Sequence, residues 1–202
     1  MKTKIHTIYK LPYGTIVPSV TTVLGVLNKP ALLQWAWQCG VDGLDYRKVR
    51  DTAGDIGTLV HLMIMAGLKG EKLDTSEYSP ANVDKAENCL LKYRDWEKQH
   101  KVEPIFIETP FVSEEFGYGG TIDLLARLDG GLWLVDFKTG KALYPEMFSQ
   151  IAAYSQLVFE TTPYTDFNLR ILRIGREATG DFENRLVSKI DRKWWDIFKY
   201  CL

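Results

Sequence analysis

Asp136 and Lys138 stand two residues apart in Leu134-Val135-Asp136-Phe137-Lys138, and Asp123 closes the upstream run Gly120-Thr121-Ile122-Asp123. In an extended strand, alternation puts Asp136 and Lys138 on one face and Phe137 on the other. Between the two runs lies Asp129-Gly130, a favoured two-residue hairpin turn. Counting outward from that turn pairs Leu128 with Gly131 and sets Asp123 opposite Asp136, with Cβ atoms roughly 5 Å apart. Two facing carboxylates repel each other and call for a proton or a cation between them. A hard divalent ion with oxygen ligands suits the position, and magnesium takes one or two carboxylates together with waters and phosphate oxygens. A lysine beside it can orient or deprotonate an attacking water, or neutralise a phosphate. A metal, two acids and a lysine suit phosphodiester hydrolysis. Taken alone, Asp-x-Lys on a strand also describes an ordinary solvated ion pair.

The elements that must position these groups are readable in outline. The first half is helical in pattern. Pro18-Ser19 precedes Val20, Val23, Leu24 and Leu27, with Ser19 or Thr21 as N-cap. Pro30 opens a helix over Ala31 to Gln38, broken by Gly40 and Gly43. Asp55 to Leu68 carries Ile56, Leu59, Val60, Met63 and Ile64 at helical spacing. Gly70 to Ser79 is a polar connection, and Ser79-Pro80 starts a helix that runs to about His100. The period then changes. Val102 to Val112, Gly120 to Leu128 and Leu132 to Lys138 read as strands. In the second of these, Ile122, Leu124, Ala126 and Leu128 fall on one face, and Thr121, Asp123, Leu125 and Arg127 on the other. Tyr144 to Glu160 reads as a helix, Phe167 to Ile174 and Phe182 to Ile190 as strands, and Asp191 to Leu202 as a last helix. The class is α/β, with helices flanking a central sheet and a helical N-terminal section.

At 202 residues the chain has room for one sizeable domain. We expect residues 1–100 to form a mostly helical wall or cap and 101–202 the sheet core. With 46% hydrophobic and 25% charged residues the composition is that of a folded domain, not a disordered one. No apolar run is long enough to cross a bilayer, and Met1 to Lys10 lacks the apolar core of a secretory signal. Twenty-five basic and 26 acidic residues leave a net charge of −1, which argues against a protein that merely coats nucleic acid. Local phosphate contacts remain compatible with it. Cys39, Cys89 and Cys201 are odd in number and scattered, so neither a disulfide framework nor a Cys-x-x-Cys metal knuckle is expected.

Gly120-Thr121-Ile122-Asp123 followed by Asp136-Phe137-Lys138-Thr139-Gly140 resembles motifs II and III of the PD-(D/E)XK nucleases, and within them the RecB-like exonuclease branch. Gly57 and His61 match that branch's helical Gly-x-x-x-His. Gln150 and Tyr154 match its Gln-x-x-x-Tyr on the helix after the lysine strand. The opening Pro18-Ser19-Val20-Thr21-Thr22-Val23-Leu24 is similar to that of the mitochondrial genome maintenance exonuclease and its phage and bacterial relatives. Two positions depart from the pattern: the proline of the family's name is absent, and the second acid is Asp136 instead of Glu.

The resemblance implies a restriction-endonuclease-like core, a mixed central sheet flanked by helices. It implies a DNA exonuclease dependent on Mg2+ or Mn2+ that acts on single strands or duplex ends in replication, recombination or repair. Asp123, Asp136 and Lys138 would be the catalytic residues. His61, Asp123, Asp136 and the Phe137 carbonyl would bind metal, with His61 suiting manganese as well as magnesium. The alternative for His61 is a core histidine among Leu59, Val60 and Ile64. Glu108 is either a ligand to a second metal or water, or an edge-strand surface charge. Gln150 and Tyr154, at i and i+4 on one helix face, would contact DNA, while Tyr154 serves equally as core. Ser19 and Thr21 are candidates for phosphate contacts at a helix start as well as for capping. Lys141, with Lys29, Arg47, Lys48 and Arg50, is a candidate backbone contact. Trp35 and Trp37 are candidates for stacking on bases. Two apart on a helix, they cannot share a face, so at least one is expected in the core.

Some relatives hold an iron–sulfur cluster on four cysteines; three scattered cysteines imply none here. No membrane association is expected, and the expected setting is a bacterial cytoplasm, with the gene bacterial or phage-borne. Two rival readings share the sequence: a structure-selective endonuclease with the same site, and a catalytically silent DNA-binding or recruitment module.

Overall fold

The computed structural model describes residues 7–176, 181–188 and 192–202. Two short strands come first, β1 (Tyr9–Lys10) and β2 (Ile16–Val17), paired antiparallel. The helix α1 (Val20–Val23) follows and runs into a 3-10 turn over Leu24–Val26. Ser19 is its N-cap and accepts a hydrogen bond from the Thr22 N–H at 3.0 Å. Next come α2 (Pro30–Val41), α3 (Tyr46–Lys69) and α4 (Pro80–Glu97). The strands β3 (Val102–Ser113), β4 (Tyr118–Leu128) and β5 (Gly131–Lys138) are consecutive. Then α5 (Pro145–Thr161), β6 (Asn168–Ile174), β7 (Phe182–Val187) and α6 (Lys193–Cys201) complete the chain.

The main sheet has five strands in the order β3-β4-β5-β6-β7. Only the β5–β6 pair is parallel, joined through α5. This is the mixed sheet flanked by helices that a restriction-endonuclease-like core requires. The strand β5 lies at its centre, and its last four residues before Lys138 are buried. Two apolar clusters cover the two faces. One gathers Ile122, Leu125 and Leu134 of the sheet against α5, α6 and α1; the other gathers Leu124, Ala126, Val135, Phe137 and Leu172 against α3 and α4. Among the described residues no helix is long and apolar enough to cross a membrane.

The hairpin expected at Asp129-Gly130 forms there. Both residues have positive φ, 53° and 88°, as a type I′ turn demands. Leu128 faces Gly131, and the register holds step by step to Leu124↔Val135.

Several boundaries differ from the expected ones. The helix α3 begins at Tyr46, nine residues early, because Asp45 caps it by accepting from the Arg47 N–H at 2.9 Å. Gly40 stays inside α2; the break comes at Gly43, where φ is 70°. The β1–β2 pair was not expected at all. Neither tryptophan of α2 is core: Trp35 is half-buried and Trp37 is exposed, because Cys39 alone on that helix is buried. Trp194 and Trp195 do pack against the α5-side cluster. The expected strand end at Ile190 and helix start at Asp191 lie outside the described residues.

Candidate active site

The site forms where the β4–β5 ladder opens. In a two-residue hairpin that starts from Leu128↔Gly131, Phe137 should donate its N–H to the Ile122 carbonyl. It donates instead to Asp123 Oδ2, at 2.7 Å. The register therefore stops one step short of the expected Asp123–Asp136 pair, and the Asp123 side chain takes the place of a backbone acceptor. On the other side of β4, the ladder with β3 passes from Thr109↔Ile122 to Ile107↔Leu124, omitting Glu108 and Asp123. Glu108 has φ 47°, a left-handed conformation costing on the order of 1–3 kcal/mol for a residue with a side chain. The strict alternation expected along β4 breaks at the same place. Ile122 joins the cluster containing Leu125, not the one containing Leu124. A local irregularity of this kind re-aims a side chain, and the side chain re-aimed is Asp123.

His61 reaches the same spot from α3, with Nδ1 3.4 Å from Asp123 Oδ1. Its ring stands edge-on to Phe137, centroids 6.0 Å apart, and Phe137 stands edge-on to Tyr93 at 5.6 Å. His61 is thus half-exposed above the core, not sunk among Leu59, Val60 and Ile64, which are fully buried. Lys138 Nζ lies 2.5 Å from Asp136 Oδ2. Asp136 is 1% exposed, and that close approach still leaves its Oδ2 without a well-formed hydrogen bond.

The electrostatics separate the two carboxylates. Burial, opposed by Lys138 and reinforced by Asp123, pushes the Asp136 carboxyl up to about 6. Burial also acts to raise Asp123, but the His61 imidazole, Lys138 and the Phe137 N–H outweigh it and hold Asp123 below its ordinary value. Burial acts to lower His61, and the Asp123 carboxylate overrides it, so His61 is raised. Tyr154 on α5 is raised by burial and by its nearness to Asp136 and Asp123. Its hydroxyl accepts from Gln150 Nε2 at 2.9 Å. Gln150 and Tyr154 therefore belong to this neighbourhood, with the Tyr154 ring largely buried.

Two glycines of the motifs have steric reasons. A Cβ on Gly57 would come 2.9 Å from Thr139 Oγ1, so glycine lets α3 approach the end of the lysine strand. A Cβ on Gly120 would come 2.6 Å from Tyr154 Cε1. A cleft of about 470 Å3 opens here, lined by Gly57, Thr58, His61, Glu108, Thr139 and Arg176 among others.

The remaining candidates lie apart from these contacts. Ser19 is occupied as a cap, with its hydroxyl also against Thr21 Oγ1 at 3.0 Å and Thr22 Oγ1 at 2.8 Å. The helix it caps is only four residues long. Lys141 is exposed in the loop after β5. Sequence reasoning missed two contributors. Tyr9 shares a 2.8 Å hydrogen bond with Thr121, and its ring fills the space above Gly119. Arg176 lines the cleft. Neither belongs to a periodic pattern, and only the fold brings them in.

Among the described residues no three His, Cys, Asp or Glu side chains form a ready metal cage. His61 is engaged with Asp123, and Asp136 with Lys138. The donor chemistry nevertheless fits a divalent cation. Two carboxylates and an imidazole sit within electrostatic reach of one another, and the buried Asp136 Oδ2 is incompletely satisfied.

The chain matches the family profile described as the PD-(D/E)XK nuclease superfamily over residues 33–194. No curated protein matches it. Among solved structures, a "putative exonuclease" from Eubacterium rectale is similar with a TM-score of 0.51 at 13% identity, covering 72% of this chain. The chain spans 64% of that protein's length. At that identity the likeness is one of fold.

Proposed function

From the premise that this chain belongs to the PD-(D/E)XK nuclease superfamily, we propose that it is a divalent-metal-dependent DNA exonuclease of the RecB-like branch, acting on single strands or duplex ends. The observation that carries this reading is the opened β4–β5 ladder. It brings Asp123 against His61, and Asp136 against Lys138, next to a cleft that His61 lines. Asp123, Asp136, His61 and the Phe137 carbonyl are the groups that would hold Mg2+ or Mn2+, and the bound ion would supply Lewis-acid stabilisation of charge on the phosphate oxygens.

The chain's own residues supply the rest. Asp136 holds the Lys138 ammonium at the strand end, 2.5 Å away. From there Lys138 can orient the attacking water and share the charge of the phosphate. Asp123, locked to the Phe137 N–H and beside His61, fixes the local backbone against which Asp136 and Lys138 are aimed. Tyr154 and Gln150 close the buried side of the site and limit water there.

The test is product analysis on end-labelled linear oligonucleotides and on circular single strands, with Mg2+ and with Mn2+. Shortening of linear strands from an end with circles left intact is the expected result. Cutting of circles would replace the exonuclease by an endonuclease. No cleavage of any DNA under either metal would leave a silent binding module.

A further inference from the structure

The helix α2 runs for twelve residues without an Asp, Glu, Lys, Arg or His. It nevertheless lies open to solvent. Leu33, Trp37 and Val41, at i, i+4 and i+8, form one ridge and are 75%, 65% and 60% exposed. Leu44, just beyond the helix, is exposed as well. An apolar face this open marks an interaction surface. Gly40 belongs to the same face, three residues after Trp37. Its φ is not left-handed, and a Cβ there would meet nothing within 4 Å. Alanine favours a helix over glycine, so among the described residues of one copy nothing accounts for glycine at this position.

The two ends of α2 indicate what the ridge fits. Lys29 is its N-cap and Asp42 its C-cap. Each has the wrong sign for its own helix, whose macrodipole is positive at the N-terminus and negative at the C-terminus. Their neighbours do little to correct this. Lys29 Nζ has Glu146 Oε1 at 4.0 Å, a loose pair, and Asp42 accepts from the uncharged Gln38 Nε2 at 2.8 Å. In an antiparallel pair of identical helices both signs become right. Lys29 of one copy then meets the C-terminal end and Asp42 of the other, and two-fold symmetry makes the contact twice. A nucleic-acid strand would instead call for cations along the ridge, and α2 supplies none.

We propose that α2 is a self-association surface: two copies of this chain pair antiparallel through Leu33, Trp37 and Val41, with Gly40 leaving room for the Trp37 ring of the other copy. The pairing is independent of the nuclease reading. It also anchors the start of α3, the helix that carries Gly57 and His61. A ridge about 18 Å long buries less than the ~800 Å2 per partner of a standard interface. The dimer is therefore weak, with a Kd on the order of 10 µM.

The test is sedimentation equilibrium of the full chain from about 1 to about 200 µM, since mass action governs the dimer fraction. The wild type should pass from monomer to dimer over that range. Trp37→Glu should raise Kd at least ~10-fold. Gly40→Leu should raise it by about as much through overpacking, while the melting temperature of the dilute monomer holds or rises. Asp42→Lys should weaken the dimer about threefold or more, by setting like charges together. Adding Lys29→Asp to it should restore most of the affinity. Leu91→Glu, on an exposed position of α4, should match the wild type.

A wild type that stays monomeric throughout overturns the pairing. If Trp37→Glu then also weakens binding of a single-stranded oligonucleotide, the ridge is a nucleic-acid surface instead. A dimer that tolerates both Trp37→Glu and Gly40→Leu uses another face and overturns it equally. Failure of the charge exchange to restore affinity overturns the antiparallel arrangement. Should thermal melting show Trp37→Glu to be unfolded, an unchanged Kd in folded Gly40→Leu is decisive against the proposal.

Discussion

Asp136 is an awkward residue for stability, and that awkwardness is its use. It is buried, its carboxyl is pushed up to about 6, and a second carboxylate stands near it. At neutral pH the folded protein holds a charge it would be more stable without. Replacement of Asp136 by Asn should therefore abolish cleavage while the metal-free protein melts no lower than the wild type at pH 7–8. A melting point several degrees lower would mean that the Lys138–Asp136 pair stabilises the fold on balance. Lys138→Ala should reduce cleavage by at least ~10²-fold, the scale of a positioned proton-transfer group, and leave DNA affinity nearly unchanged in a filter-binding assay. At this scale the sequence was most informative where residue type and strand alternation sufficed: Asp136, Lys138 and the outward count from Asp129-Gly130 as far as Leu124↔Val135, one step short of the expected Asp123–Asp136 pair. It singled out Glu108 but gave no sign of its positive φ, which accompanies a ladder irregularity, and it was silent about Arg176, whose place depends on how far β6 runs past β5.

Among the elements, α3 shows how a short motif acts through packing. Gly57 faces Thr139, so a methyl group there pushes α3 away from the strand end that carries Lys138, even though alanine favours the helix by about 1 kcal/mol. Gly57→Ala should keep or raise the melting temperature and lower kcat several-fold. Adding Thr139→Ala removes the Oγ1 it would strike and should restore most of the rate. A double variant no better than the single one would place the fault elsewhere.

The hairpin offers a test at its far end. Asp129 accepts from His100 Nδ1 at 2.6 Å and from the Lys101 N–H at 2.9 Å. First His100 and then the Lys101 N–H hold its carboxyl below the ordinary value. A depressed carboxyl stabilises the fold above its unfolded pKa of about 4 and loses that effect as pH falls through the folded value. Asn tolerates positive φ, so Asp129→Asn keeps the turn while removing the charge. Urea denaturation should show it less stable than the wild type at pH 7 and equal to it near pH 2. A gap that persists in acid would assign the loss to the turn instead. Element boundaries were legible where caps were: Ser19, Ser79-Pro80 and the Pro30 start all hold. Asp45 carried the signal for the true start of α3 but stood among glycines that obscured it. The β1–β2 pair, two residues per strand, is too short for any period to reveal.

For the molecule as a whole, two apolar clusters press on opposite faces of one sheet, and β4 loses its pairing on both sides at Asp123. With a net charge of −1, the DNA binding proposed above would rest on local phosphate contacts, not on a generally basic surface. The overall class was readable because the order of helices and strands, with a crossover helix between β5 and β6, leaves few topologies open. The convergence of α3, β3 and the end of β6 on one cleft was not, since nothing local encodes contacts between residues as far apart as His61, Glu108 and Arg176.

The central claim is that Asp123 and Asp136 together hold one kind of divalent ion at the opened ladder. Calorimetric titration of the wild type, Asp123→Asn and Asp136→Asn with Mn2+ addresses it directly, without reference to activity. Saturable binding by the wild type, weakened at least ~10-fold in each variant, is the expected outcome. Equal Mn2+ affinity in all three proteins, or no saturable binding by the wild type, would contradict it.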